Sequence, residues 1–103
     1  MSKDADSKQY RVIVDPSAYD RLFHHVMFLA EVSVEAAEEL RQTIIADIRS
    51  LATMPHRNPT YTNQFLTATH YRWMLSGKRY KIIYRVEGDA VYIDNIKDCR
   101  EAD

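Results

Sequence analysis

The run Tyr80–Val86 (YKIIYRV), set between the turn signals Ser76-Gly77 and Gly88-Asp89, restricts the fold more than any other feature of this chain. Side chains alternate across a β-strand. Tyr80, Ile82, Tyr84 and Val86 therefore form one apolar face, and Lys81, Ile83 and Arg85 point the other way. Gly88-Asp89 predicts a tight hairpin into a further strand, Ala90 to about Lys97. His70–Leu75 predicts a strand on the other flank. Three antiparallel strands with one apolar face need a cover.

The first half of the chain supplies it. Tyr10–Val14 (YRVIV) reads as a short strand, ended by Asp15-Pro16. Asp15 is an expected N-cap and Pro16 an expected first helical residue. Tyr19, Leu22, Phe23, Val26 and Ala30 then recur at three- and four-residue steps, an amphipathic helix to about Val32. Ser33 caps a second helix, striped by Ala37, Leu40, Ile44, Ile48 and Leu51 and ended by Met54-Pro55. The short connection makes the two helices antiparallel. The expected class is α+β, in the order β-α-α-β-β-β, with a helical hairpin on one face of a mostly antiparallel sheet. Residues 1–9 read as a disordered polar tail and 10–103 as one domain.

Parity assigns the rest. A hairpin closed by the two residues Gly77-Lys78 pairs Leu75 with Tyr80 and Met74 with Lys81. On that register Tyr71, Trp73 and Leu75 join the core, while His70, Arg72 and Met74 share the open face with Lys81 and Arg85. In the last strand, Val86–Val91 and Tyr84–Ile93 are sound core pairs, but Asn95 would turn inward. A bulge near Asp94-Asn95 returns Ile96 to the core, and Arg100 follows at the edge of the basic face. Met74, Ile83 and Tyr92 are then the apolar residues on the open face, and with Arg85 they are candidates for contact with a partner.

Charge is uneven. Residues 1–69 carry seven Lys/Arg against nine Asp/Glu, whereas 70–100 carry seven against four, in a chain of net charge −1. The basic stretch suits a local anion site rather than general polyanion binding. The lone Cys99 fits a reducing compartment, and no apolar run is long enough to span a bilayer. A cytoplasmic protein is expected. His24 and His25 are neighbours on a helix and point apart, and no paired metal-ligand spacing occurs, so no metal is expected. With only Gly77 and Gly88 there is no glycine-rich phosphate loop, and no cofactor is expected.

The ordered set of motifs resembles the RelE/ParE superfamily of toxins from type II toxin–antitoxin systems. It comprises the first strand ending in Asp-Pro, the hairpin "S-V-E-A-A…I…I…L…M-P", "YRWML-SG-KRYKIIYRV-EGDAVYI" and the final "I-K-D-C-R". The resemblance covers residues 10–100. It implies a cognate antitoxin, largely helical, and one of two activities: a ParE-like protein that inhibits DNA gyrase without chemistry, or a RelE/YoeB-like endoribonuclease that cuts mRNA on the ribosome. In the second, Arg72, Lys81 and Arg100 correspond to the basic residues that hold the scissile phosphate, with His70 as a further titratable group. The chain departs from the ribonucleases in two places. Met74 stands where a lysine is frequent, and Arg100 is followed only by Glu101, Ala102 and Asp103, without a tyrosine or histidine for proton transfer. Met74 leaves one charge missing, and the absent C-terminal tyrosine or histidine, with the hairpin, looks more ParE-like. A degenerate toxin that only binds its antitoxin is the third reading.

Overall fold

Asp15 begins the first helix as its sequence requires: the carboxylate accepts from the Ser17 backbone N–H at 2.9 Å, and Pro16 occupies the first turn. Ser33 does the same for the second helix, its Oγ accepting from Ala36 N–H at 3.1 Å, with Glu35 in the positive first turn. The computed structural model describes residues 8–62 and 70–101. These give β1 (Arg11–Val14), α1 (Pro16–Ala30), α2 (Val34–Ser50), a 3-10 turn (Pro55–Arg57), β2 (Tyr71–Ser76), β3 (Tyr80–Glu87) and β4 (Ala90–Asp98). Most of the expected N-terminal tail lies outside the described residues.

The sheet order is β1-β4-β3-β2; β1 joins β4 in parallel and the other pairs are antiparallel. Both helices lie on one face. Leu40, Ile44, Ile48 and Leu51 of the α2 stripe meet Tyr80, Ile82, Tyr84, Val91, Ile93 and Ile96 in one buried cluster, joined by Ala18 and Leu22 of α1. The expected bulge is present: Ile83 pairs with Asn95 and Tyr84 with Ile93, so Asp94 is the extra residue and Ile96 returns to the core. Tyr84 is fully buried. Its hydroxyl donates to the Pro55 carbonyl at 2.6 Å and accepts from Asn58 Nδ2 at 3.0 Å, which fixes the loop after α2.

The β2 register differs from expectation by one residue. Ser76 pairs with Tyr80, Met74 with Ile82 and Arg72 with Tyr84, so the turn holds three residues, Gly77, Lys78 and Arg79. Gly77 and Lys78 both adopt positive φ, at 58° and 72°. A one-residue slip exchanges the two faces of a strand. Met74 consequently packs against the helix-side core, and Trp73, Tyr71 and Leu75 lie on the opposite face. The register has a physical cause: buried Ser76 donates its hydroxyl to Asp47 Oδ2 of α2 at 2.6 Å, tying β2 to the helix layer.

The α1 stripe is also wider than one core face. Ala18, Leu22 and His25 are buried, while Tyr19, Phe23 and Met27 stand 60, 64 and 49% exposed.

Candidate functional site

The sheet face away from the helices carries Lys81 between two rings, its Nζ 5.2 Å from the Trp73 centroid and 5.8 Å from that of Tyr61. Tyr61 reaches this position because residues 59–61 run beside β2: Trp73 N–H donates to Pro59 O and Tyr61 N–H to Tyr71 O. Ile83, flanked by Trp73 and Asn95, is buried in this second cluster. Farther along, Arg85 stacks on Tyr92 at 4.5 Å and is neutralised by Asp94, at 3.1 Å, and by Glu87. Burial pushes the Asp94 carboxyl up, and Arg85 opposes that shift. His70 is exposed, its ring 4.7 Å from that of Tyr71.

The three cations expected to hold a phosphate do not share a surface. Lys81 is on the open face. Arg72 is on the helix side of the sheet, where its Nη1 donates to the Asn58 carbonyl at 2.6 Å and to that of His56 at 3.3 Å. The slipped register turned it there, where it binds loop carbonyls. Arg100 sits past β4 against α1, in a recess shared with Arg21, His24, His25 and Phe28. Its guanidinium grips Asp98 through Nε at 3.1 Å and Nη2 at 2.6 Å, and this pairing chiefly holds the Asp98 carboxyl down to about 2. His25 is buried in the same place and donates from Nε2 to the Ile96 carbonyl at 2.8 Å. A carbonyl only accepts, so the ring proton is on Nε2.

Of the expected partner contacts, Tyr92 lies on the open face as a half-buried ring and Arg85 is engaged in ion pairs. Ile83 faces outward yet is buried, and Met74 is on the wrong side for this role. The surface that the sequence reading missed is apolar. Val12, Val14, Leu22, Ile45 and Ile48 line a groove of about 260 Å³ between β1 and the two helices, with Tyr19 and Arg49 at its lip. The exposed Phe23 adjoins it through a recess shared with Leu22, Val26 and Ile45. The excess width of the α1 stripe was the signal. A helix with one core face needs only a narrower apolar arc.

Among the described residues, no group of three His, Cys, Asp or Glu side chains converges in a manner that would hold a metal ion. No helix of the described residues is long and apolar enough to cross a membrane.

No protein-family model and no curated protein sequence matches the chain. Among solved structures it is similar to a chain of the chromosomal ParDE TA system from P. aeruginosa, with a TM-score of 0.72 and 15% sequence identity. The superposition covers 89% of this chain and 98% of that one. The chain thus shares its fold with that one: two helices on a four-stranded, mostly antiparallel sheet.

Proposed function

We propose that this chain is the toxin of a type II toxin–antitoxin module, that it works in the cytoplasm, and that it acts as ParE-like toxins do, by gripping DNA gyrase without cutting RNA. The fold shared over nearly its whole length with a chain of a ParDE system supports the toxin reading. The dispersal of Arg72, Lys81 and Arg100 over separate surfaces supports binding over cleavage, and this observation carries the choice. Transphosphorylation needs cations converging on one phosphate together with an acid and a base. Here one candidate cation binds loop carbonyls, one rests between aromatic rings and one is clamped to a carboxylate. The groove beside Val12, Leu22 and Ile45, continued by Tyr19 and Phe23, suits an apolar helical segment of the antitoxin.

Induction of the chain in a bacterial host, with mRNA 5′ ends mapped and the DNA-damage response followed, tests the proposal. The expected result is arrested growth with filamentation, an induced damage response and intact mRNA. New mRNA 5′ ends at ribosome positions, lost on Arg100→Ala, would establish the ribonuclease instead. Unimpaired growth would leave a degenerate toxin.

A further inference from the structure

The end of the sheet at the β2–β3 turn holds a second cleft, of about 500 Å³. Leu29 of α1, Ala36 and Leu40 of α2, and the Tyr80 ring make it apolar; Lys78 and Arg79 stand at its rim. Glu39 is the one acid that lines it. It lies on the opposite flank of α2 from the groove described above, since Ala36, Leu40 and Thr43 line the one and Ile45, Ile48 and Arg49 the other. The two depressions share no residue.

Three further features mark this cleft. Lys78 and Arg79 make no salt bridge or side-chain hydrogen bond among the described residues, whereas Arg85, Arg11 and Arg100 each contact a carboxylate directly; Arg79 only feels Asp98, which Arg100 already grips, at longer range. Lys78 is held at φ 72°, a left-handed conformation that glycine or asparagine adopts more readily. The strongly exposed Phe28, Val32 and Val34 add apolar surface on the helical hairpin at the same end. An apolar floor with a doubly cationic rim fits carboxylates carried next to apolar side chains, which a protein segment offers and a phosphate backbone does not.

We infer that this cleft is where the chain grips its target protein, through an acidic segment anchored by apolar side chains. The inference rests on the toxin reading and adds that target and antitoxin use separate flanks of α2. The acid of the target meets Lys78 and Arg79, and its apolar anchors fill the space above Leu29 and Leu40.

Three variants of the full chain test this: Lys78→Glu with Arg79→Glu, Thr43→Trp to fill the cleft from an exposed position, and Lys78→Gly. Plating efficiency under induction, affinity for the purified antitoxin and melting temperature are read for each. The charge reversal should restore plating by at least about 100-fold, as reversing charges at a complementary contact does. Thr43→Trp should act in the same direction. Antitoxin affinity should stay within about threefold of the wild type, as expected for a separate site. Lys78→Gly should weaken growth inhibition without lowering the melting temperature, a result that a purely structural lysine does not give. Undiminished growth inhibition in the charge-reversed and Thr43→Trp proteins would overturn the assignment while leaving the toxin reading intact. Loss of antitoxin affinity in step with growth inhibition would also overturn it, by making the cleft the antitoxin's. So would binding of duplex DNA that the charge reversal abolishes. A wild type that never inhibits growth would instead bring down the proposed toxic activity itself and leave a degenerate toxin.

Discussion

The two hairpin turns of the sheet are built from similar parts and end in opposite states. At the β3–β4 turn the flanking cations are neutralised: Arg85 by Asp94 and Glu87, and Arg11 by Asp89 at 3.5 Å. Gly88 there has φ 60°, and a Cβ on it would meet nothing within 4 Å. At the β2–β3 turn Gly77 has almost the same φ, yet its Cβ would lie 2.9 Å from Leu40 Cδ1. Beside it Lys78 and Arg79 make no direct ion pair among the described residues and stand over a largely apolar cleft. One turn merely reverses the chain. The other is pressed onto α2 and presents charge, which is the arrangement of a contact surface.

Substitutions at the two turns sharpen this contrast. Gly77→Ala should cost the most of the turn substitutions, about 1–2 kcal/mol, since the left-handed backbone penalty adds to a contact that the Cδ1 methyl of Leu40 must shift to relieve. Gly88→Ala should cost only the backbone part, about 1 kcal/mol, and equal losses in urea unfolding would refute the difference. Between these lies the acid limb of the stability curve. Asp98, held down to about 2 by Arg100, stabilises the fold fully above pH 4, and that contribution is lost as pH falls toward 2. Asp98→Asn should remove about 1–2 kcal/mol at pH 7 and flatten the curve between pH 4 and 2. Asp94, raised chiefly by burial, has the reverse sign and recovers stability on acidification, so an Asp94→Asn protein should not share that flattening. The smallest effect belongs to the exposed Arg11–Asp89 pair: Asp89→Asn should change stability by under about 0.5 kcal/mol.

The same contrast explains what the sequence disclosed. Gly88-Asp89 sits between strands whose alternation agrees, so its register, the core pairs of β4 and the bulge at Asp94 were legible. The caps Asp15 and Ser33 likewise announce both helices. Ser76-Gly77-Lys78-Arg79 accommodates a two- or a three-residue turn, and the apolar Met74 and Leu75 are adjacent, so β2 has no parity of its own. The contact that decides, Ser76 to Asp47, joins residues 29 apart in sequence. Without it, alternation alone places Arg72 on the open face and Trp73 in the core. Trp73 is half-buried beside Lys81, and its loss should cost less than that of a core tryptophan. The expectation of a cationic open face therefore fails at Arg72 and Arg100, while the expected fold, which rests on element order, stands. The cleft has no signature in the sequence because Leu29, Leu40 and Lys78 meet only in three dimensions.

The central claim, that the chain binds its target and does no chemistry, is tested most directly on purified components. Added to DNA gyrase with relaxed plasmid, the protein should block supercoiling or trap cleaved plasmid, and the antitoxin should reverse this. Normal supercoiling at saturating protein, with mRNA cut on isolated ribosomes, would contradict the account.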